Sequence, residues 1–285
     1  MSISLTNDPK VAEGWDAHAS DYARLFSPVT GHVARAMVAL VQGRLPDKPR
    51  ILDVACGPGD LSVAAANLCA RLAGGSVLAT DISPQMVALT ERALKAIDAS
   101  TRCEVRDGQA LAVADASFDA AFSCFGIFLF PDRHAAWQAA AHALRPGGFL
   151  VTSVWRGPEF NELASAQMAP LMAALPKRLT DPPPRPSWAG ITTAEGLIEE
   201  VTQAAPLADT EIHVIDTTLT LPTPAEMWLG MVGNPVTGAL IEQCSADEMN
   251  AVKQAVLADF ERRSGGADRP FTLNASCHVL IARRV

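Results

Sequence analysis

Residues 51–61 read Ile-Leu-Asp-Val-Ala-Cys-Gly-Pro-Gly-Asp-Leu, a short apolar segment that runs into a turn with two glycines. The segment is typical of a buried strand, and the periodic apolar residues after Gly59 predict a helix. Gly57 and Gly59 allow the main chain to approach a ligand closely, because glycine adopts backbone angles that other residues avoid. The helix N-terminus directs unpaired N–H groups and a positive dipole end at the same turn. The stretch therefore predicts a strand–turn–helix unit that binds an anionic or zwitterionic, nucleotide-like ligand.

Composition limits the classes of protein and partner. The 285 residues, 49% of them hydrophobic, suffice for the core of one large domain or of one domain with a cap. The net charge of −8 argues against nucleic acid as a partner, because cationic side chains supply most of the affinity for phosphate backbones. The six cysteines show no zinc-site spacing, so we expect reduced thiols and no metal. We also expect no membrane span and a cytoplasmic location, since neither a spanning apolar run nor a secretory signal is recognisable. The oligomeric state stays open.

The first half of the chain alternates strand-like and helix-like segments. Apolar residues recur at helical spacing between the strand-like runs, which is typical of a parallel sheet covered on both faces. This alternation predicts a doubly wound α/β fold. The predicted strands are Arg50–Ala55, Ser76–Thr80, Arg102–Arg106, Phe118–Cys124 and Phe149–Trp155, with Arg145-Pro146-Gly147-Gly148 as a helix stop before the last of them.

The second half has a different pattern. Two further strands are predicted at Glu211–Leu221 and Phe271–Ala282. Between them, 224–263 reads as two helices interrupted at 230–235. The proline-rich run at 182–186 predicts a stiff extended segment, because proline fits neither a helix interior nor a central strand.

Polar signals follow four successive predicted strands, where open parallel sheets bind their ligands. The first is the glycine turn that begins at Asp53, and the second is Asp81, whose carboxylate suits a ribose diol. Asp107-Gly108-Gln109 follows the third strand, where a carboxylate or main chain can read an adenine edge. Ser123-Cys124-Phe125-Gly126 ends the fourth strand and is predicted to line the same crevice.

These segments resemble the motifs of a known family. Asp53-Val-Ala-Cys-Gly-Pro-Gly, Thr80-Asp81-Ile-Ser-Pro-Gln-Met, Asp107-Gly-Gln-Ala-Leu, Ser117-Phe-Asp-Ala-Ala-Phe-Ser and Leu144-Arg-Pro-Gly-Gly look like motifs of the class I S-adenosylmethionine-dependent methyltransferases. The resemblance is closest to the ubiquinone/menaquinone-biosynthesis methyltransferase group, and it covers about 15–155. It implies a seven-stranded, mostly parallel, Rossmann-like sheet whose last strand is antiparallel, with helical cap and lid insertions.

The resemblance also implies a domain organisation and a set of roles. Residues 1–45 would form an N-terminal helical cap, 46–155 the cofactor-binding core, 156–223 a connecting segment with the sixth strand, 224–265 a helical lid insertion and 266–285 the final strand, all in one structural domain. Ala55 stands where many relatives have a third glycine. The implied cofactor is S-adenosyl-L-methionine. The resemblance implies that Asp53, Ala55, Gly57 and Gly59 contact its methionine part, that Asp81 binds the ribose, that Ile82 and Met86 pack on the adenine, and that Asp107, Gly108 and Gln109 contact the adenine edge. Ser123 and Cys124 would form the crevice wall, and Trp15 and Tyr22 would close the crevice from the cap.

The implied reaction is methyl transfer to a small, apolar or aromatic acceptor, such as a natural product or a quinone-like molecule. His18, between Trp15 and Tyr22, is a candidate catalytic base for a hydroxyl acceptor, although a solvated helix histidine fits the pattern equally. Met168 and Met172 in 160–188 and Met227 and Met231 in the lid suggest an adaptable apolar pocket, or else ordinary helix packing. Two alternatives stay open. A non-methylating member of the same fold is one, and an NAD(P)-dependent oxidoreductase is the other, although Ser62 replaces the third glycine of its fingerprint.

Overall fold

The computed structural model describes residues 2–3, 9–72, 74–181 and 185–285. Its main sheet has seven strands, numbered β1 to β7 along the chain, which lie side by side in the order β3-β2-β1-β4-β5-β7-β6. β7 is antiparallel to both of its neighbours, whereas the other pairs are parallel. The predicted fold class is therefore confirmed, including the antiparallel last strand. The strands are β1 (Arg50–Val54), β2 (Ser76–Asp81), β3 (Ser100–Val105), β4 (Phe118–Cys124), β5 (Leu144–Trp155), β6 (Leu207–Leu221) and β7 (Phe271–Arg284).

Helices cover both faces of the sheet. A long first helix occupies the segment expected as the cap, and three helices between β6 and β7 occupy the segment expected as the lid. A two-residue strand, Ser2–Ile3, pairs with Arg185–Pro186 apart from the main sheet. The helices are α1 (Pro9–Val41), α2 (Asp60–Arg71), α3 (Pro84–Leu94), α4 (Arg133–Ala143), α5 (Glu162–Ala174), α6 (Lys177–Thr180), α7 (Ala194–Ala204), α8 (Pro224–Gly233), α9 (Pro235–Ile241) and α10 (Ala246–Ser264).

Strand burial follows the sequence pattern. β4, whose sequence is almost wholly apolar, lies fourth of seven and buries six consecutive residues from Phe118 to Ser123. β3 alternates exposed and half-buried residues, as expected for a strand at the edge of the sheet. The cofactor turn therefore follows a buried strand of the sheet interior.

The predicted helix stop at Arg145–Gly148 is confirmed, since α4 ends at Ala143, but these residues already belong to β5, which was predicted to begin only at Phe149. β5 begins at Leu144, which pairs with Phe118, and the register then shifts so that Phe149 pairs with Ala120. Gly147 has a φ of 79°, which accommodates the extra residues of this irregular segment. The proline and the glycines therefore mark a bulge-like irregularity at the start of the strand.

The lid contains three helices where two were predicted. α8 continues through Gly230, because the missing side chain there leaves room for Leu25 and Phe26 of α1. The helix ends at Gly233, and Asn234 is extended (ψ 125°) before Pro235, as steric clash with a following proline requires. The prolines at 182–184 lie outside the described residues, so the extended segment predicted there stays a prediction.

Two hydrophobic cores support this arrangement. The larger lies on the sheet, between the strands and the helices that flank them. The second joins α1, α5, the lid helices and the far ends of β6 and β7. Met227 and Met231 are completely buried in the second core, which means that they pack the lid and do not line an open pocket. No helix among the described residues has the length and apolar character needed to cross a membrane.

Candidate active site

The turn after β1 consists largely of left-handed backbone. Ala55, Gly57 and Gly59 have φ values of 60°, 54° and 101°. The Cys56 N–H donates to the Thr80 carbonyl (2.9 Å), and the Gly59 N–H donates to the Cys56 carbonyl (3.0 Å). The first bond ties the turn to β2 and the second closes the turn on itself, and residues of the turn line the crevice at the carboxyl ends of the strands.

The two glycines of the turn have different reasons to be glycine. A β-carbon at Gly57 would meet no atom within 4 Å, so its open side is free for a ligand. A β-carbon at Gly59 would lie 2.9 Å from the Thr90 hydroxyl oxygen of α3. Gly59 therefore allows close helix packing and does not line the crevice, although we expected it to frame the ligand.

Asp81 ends β2 as the sequence predicts, and backbone donors hold its carboxylate. The Gly57 N–H donates to Oδ2 and the Ser83 N–H donates to Oδ1, both at 2.9 Å. Burial raises the pKa of Asp81 to about 6, although these backbone bonds oppose the shift. A carboxylate has about four acceptor sites in all, so the group can also accept a bond from a ligand in the crevice.

Asp53 lies at the base of the crevice and is completely buried. The Ser62 hydroxyl donates to its Oδ2 (2.6 Å), whereas Oδ1 has no hydrogen-bond partner among the described residues. Burial raises the pKa of Asp53 to about 7, and the charges of Asp81 and Asp60 add to this shift. A buried carboxylate with an unpaired oxygen is stabilised by a nearby cation, so this part of the crevice fits a positively charged ligand.

The cap helix α1 crosses the crevice and is hydrogen-bonded to the N-terminal ends of α3 and α2. Asp16 accepts the Gln85 N–H (3.0 Å) and the Ser83 hydroxyl at the start of α3. The Thr30 hydroxyl donates to Asp60 Oδ2 (2.6 Å) at the start of α2. These contacts hold α1 over the region between the two helix N-termini.

Aromatic rings of the cap face the crevice. Trp15 and Tyr22 meet edge to face, with ring centroids 5.5 Å apart and planes at 86°. Burial raises the pKa of the Tyr22 hydroxyl, and the neighbouring Cys124, Asp60 and Asp81 act in the same direction. Tyr22 is therefore a neutral hydrogen-bonding group in the crevice at physiological pH.

The adenine side, as implied by the resemblance, is closed by a loop after β3. Asp107 Oδ1 accepts the Gln109 N–H (2.9 Å) and its side-chain amide (3.1 Å). A β-carbon at Gly108 would come within 2.4 Å of the Phe130 ring. Only glycine therefore lets this ring close the loop side of the crevice.

An aromatic wall lies beyond the end of β4. Phe125 has a φ of 55°, which is rare for an aromatic residue, and the Ser153 hydroxyl accepts its N–H (3.0 Å). Its ring stacks on Trp155, with centroids 3.9 Å apart and planes at 15°. The strained backbone and the stacking fix the Phe125 ring as part of the crevice lining.

Most residues predicted from the sequence come together in this crevice. Those that line it are Trp15, Tyr22, Asp53, Ala55, Gly57, Asp81, Ile82, Met86, Asp107, Gly108, Gln109 and Cys124. Their individual contacts with a cofactor stay predictions. Phe125 and Gly126, predicted with the end of the fourth strand, line it as well, and the lining residues to which sequence reasoning gave no role are Thr30, Cys56, Pro58, Asp60, Leu61, Arg106, Leu129, Phe130 and Pro131. Those at 56–61 were detectable from their position in the turn, whereas Thr30 carries no local signal.

Besides Gly59, two predicted site residues lie elsewhere. Ser123 is buried, and its hydroxyl accepts the Ile127 N–H (3.1 Å), which shapes the turn after β4. His18 packs against α8, since a β-carbon at Gly233 would lie 3.0 Å from its Cβ. Neither residue lines the crevice, because Ser123 points into the turn and the His18 side chain is taken up by the cap–lid contact.

Comparison with known proteins gives matches in both sequence and structure. A family model described as "Methyltransferase domain" matches residues 51–148. A demethylmenaquinone methyltransferase of Thermus thermophilus is 37% identical over 102 residues, which are 36% of this chain and 45% of that protein. A malonyl-[acyl-carrier protein] O-methyltransferase of Magnetococcus marinus is 33% identical over 135 residues, 47% and 48% of the two chains. The alignments thus span about half of each named relative.

Other relatives and solved structures cover more of the chain. An uncharacterised protein of Mycobacterium tuberculosis is 28% identical over 193 residues, 63% of this chain and 67% of that protein. A putative methyltransferase from Bacillus halodurans superposes with a TM-score of 0.55 at 15% identity, covering 88% of this chain and 98% of that one. A Haemonchus contortus phosphoethanolamine N-methyltransferase bound to S-adenosylhomocysteine gives 0.56 at 18% identity, covering 94% and 57%. At these identities the structures support the fold alone.

Proposed function

We propose that the chain transfers a methyl group from S-adenosylmethionine to a small apolar or aromatic acceptor, and the match of residues 51–148 to the methyltransferase-domain family model supports this proposal. The observation that carries the proposal is the crevice itself. It combines the Asp81 carboxylate, held by two backbone N–H groups, with the aromatic rings of Tyr22, Phe125 and Phe130. The family match also removes the support for the NAD(P)-dependent alternative.

The residues present fit the cofactor. The unpaired Oδ1 of Asp53 and the raised pKa values of Asp53 and Asp81 favour a ligand with positive charge. Asp81 would accept the ribose hydroxyls through the acceptor sites that its backbone donors leave free. Ile82 and Met86 would pack against the adenine, and Asp107 with Gly108 would contact the adenine edge.

The acceptor is proposed to bind near the Phe125–Trp155 stack. The lid methionines Met227 and Met231 are packed in the second core and have no exposed surface, so they do not supply this pocket. Phe125 and the Tyr22 ring supply flat apolar surface on opposite elements, the end of β4 and the cap helix. Planar rings and apolar molecules bind such surfaces better than charged ones do.

When bound, S-adenosylmethionine supplies an electrophilic methyl carbon on a positively charged sulfur. The protein's contribution is then to bind and orient the acceptor and to exclude water. α1 covers the crevice, and its contacts through Asp16 and Thr30 hold that cover in place. No histidine is among the described residues that line the crevice, so we propose no histidine base and expect an acceptor that is already ionised or reacts without one.

Two measurements test the proposal. S-adenosylhomocysteine should raise the melting temperature, because a ligand bound only by the folded state stabilises it. Formation of S-adenosylhomocysteine from S-adenosylmethionine should then be measured with a panel of phenols, quinols, thiols and amines. Transfer to an aromatic member and not to charged aliphatic members supports the proposal. Binding without transfer to any member would favour a non-methylating protein of the same fold, and absence of binding would refute both.

A further inference from the structure

Negative charge dominates the crevice lining. Among the described residues, its one cationic side chain is that of Arg106, and its four carboxylates are those of Asp53, Asp60, Asp81 and Asp107. The Arg106 guanidinium is engaged by the protein itself. Its Nε donates to Glu104 (2.7 Å), and Nη1 donates to the carbonyls of Leu111 (2.6 Å) and Ala112 (2.9 Å). An anionic ligand group would therefore meet like charges in this lining and no guanidinium that is ready to pair with it.

The aromatic wall proposed to bind the acceptor has a cation next to it in the chain but not in the crevice. Arg156 follows Trp155 directly, yet it does not line the crevice. Its guanidinium carbon lies 3.7 Å from the centroid of the Phe160 ring, and Nη1 donates to the Ser276 hydroxyl (3.2 Å). The guanidinium nearest in the chain to the aromatic wall is thus used outside the crevice.

A phenol and a thiol of the lining show what this environment does to an acidic group. Burial raises the pKa of the Tyr22 hydroxyl, and Cys124, Asp60 and Asp81 add to the shift. Burial also raises the pKa of the Cys124 thiol, and the charges of Asp53 and Asp60 contribute in the same direction. An acceptor phenol or thiol bound between these side chains would be kept in its neutral form for the same reasons.

The carboxylates of the lining are poorly placed to remove a proton from such an acceptor. Asp60 is turned towards the cap helix, since its Oδ2 accepts the Thr30 hydroxyl (2.6 Å) and a β-carbon at Gly31 would lie 3.2 Å from Oδ1. The other three carboxylates occupy positions that are expected to contact the cofactor. No histidine lines the described crevice either. A hydroxyl or thiol acceptor would therefore find neither a stabilised anionic form nor a suitable base.

Of the two kinds of acceptor that need no histidine, the crevice favours the one that reacts without losing a proton first. An uncharged nitrogen has a lone pair that forms the bond to the methyl carbon, while the electron pair of the broken C–S bond stays on sulfur. The positive charge passes from sulfur to nitrogen, and an amine product then releases a proton to water. Because positive charge is conserved during transfer, the surrounding carboxylates stabilise both sides of the step. With an ionised acceptor the charges would cancel, and this stabilisation would be lost.

We propose that the acceptor atom is an uncharged nitrogen, in an aromatic amine or a nitrogen heterocycle. The aromatic part matches the Phe125–Trp155 wall. An aliphatic amine is protonated at neutral pH and has no free lone pair, and a carbon acceptor must lose a proton as well. This inference deepens the proposed function and rests on it, because it names the acceptor class of the same site.

The test compares two acceptors of nearly the same shape, 1-aminonaphthalene and 1-naphthol. At pH 7 with S-adenosylmethionine, kcat/KM for the amine should exceed that for the naphthol by about tenfold or more, because the naphthol lacks a base. Binding provides a second readout, since ionisation changes the near-ultraviolet absorption of 1-naphthol. In the complex with sinefungin, which has an aminated carbon in place of the methylated sulfur, the pKa of bound 1-naphthol should lie about one pH unit or more above that of the free compound.

Three variants connect these readouts to the carboxylates. Asp60→Asn removes a negative charge that acts on Tyr22, so it should lower the pKa of bound 1-naphthol and narrow the preference for the amine. Thr30→Val removes the hydrogen bond to Asp60 but keeps the charge, so the preference should persist. Asp115→Asn, an exposed site outside the crevice, should change neither readout.

Several results would overturn the inference while the proposed function stands. They are a bound 1-naphthol whose pKa is equal to or below that of the free compound, a rate with 1-naphthol that equals or exceeds the rate with 1-aminonaphthalene, and a panel in which only phenols, quinols or thiols accept the methyl group. Transfer to neither naphthalene nor to any other member of the panel would instead contradict the proposed function.

Discussion

The β-carbon of Ala55 lies so close to Gly126 that a β-carbon on Gly126 would come within 2.5 Å of it. The contact joins the turn after β1 to the turn after β4, which are the two sides of the crevice floor. Ala55 itself has a φ of 60°, an angle at which an L-residue with a side chain is strained. The alanine at this position therefore constrains both its own backbone and the residue opposite.

Replacement of Ala55 by glycine should stabilise the protein slightly. Relief of the left-handed strain is worth about 1–2 kcal/mol, and the greater freedom of glycine in the unfolded chain takes back about 0.4–1 kcal/mol. We expect a net rise of roughly 0.5 kcal/mol in the free energy of unfolding, measured by urea titration. A loss of more than 1 kcal/mol would show that the alanine side chain contributes packing that outweighs its strain.

Substitutions at Ala55 and Gly126 should have coupled effects on the free energy of unfolding. Gly126→Ala should destabilise the wild type by about 1–3 kcal/mol, as overpacking does. The same substitution should cost less when position 55 is glycine, because one of its two close contacts is then gone. The second contact, with the Ser123 hydroxyl at 2.8 Å, makes the rescue partial. Additive effects in a double-mutant cycle would contradict the contact.

Asp81→Ala should weaken S-adenosylhomocysteine binding by about 2–3 kcal/mol, because charge-assisted hydrogen bonds to the ribose are lost. Calorimetric titration measures this loss. Asp115→Ala, which removes an exposed carboxylate outside the crevice, is the control and should bind as the wild type does. Unchanged affinity in Asp81→Ala would show that the end of β2 does not contact the ribose.

Stability without cofactor should fall as the pH rises from about 4 to 7. The folded protein raises the pKa of Asp53 from 3.8 to about 7, so the folded state keeps a proton that the unfolded state releases in this range. In Asp53→Asn, chemical unfolding at pH 5 and at pH 8 should show a smaller difference in free energy than in the wild type. A remaining slope is expected from Asp81, whose pKa is raised to about 6. An identical slope in both proteins would exclude Asp53 as its source.

His18→Ala should lower stability and leave catalysis nearly intact. His18 packs against Gly233, so its removal loosens the contact between α1 and α8. We expect a lower melting temperature, a change of less than threefold in kcat and an unaltered pH profile. Gly233→Ala crowds the same contact and should lower the melting temperature as well. A hundredfold loss of kcat together with a lost limb of the pH profile would instead identify His18 as the catalytic base.

The sequence predicted correctly those parts of the fold and site whose structure depends on residues that are neighbours in the chain. Asp81 and the left-handed Gly57 follow from a strand end and from a turn that need these residue types. Local patterns were misleading where a distant contact decides. Gly59 is glycine because of Thr90 in another helix, and the His18 environment depends on Gly233, more than two hundred residues away. The strained Phe125 is likewise held by Ser153 and Trp155 of the next strand, which no pattern around Phe125 reveals.

The insertion of β7 between β5 and β6 has a consequence for biosynthesis. β6 has no other partner strand in the described sheet, so it stays unpaired until Phe271–Arg284 has been made. β1 to β5 can assemble as soon as they leave the ribosome, whereas β6 waits through about fifty further residues. During that interval a fifteen-residue strand rich in threonine and β-branched apolar residues is open to wrong pairing. Amino-acid changes that slow the emergence or docking of β7 should therefore reduce the yield of soluble protein more than their effect on the finished molecule would suggest.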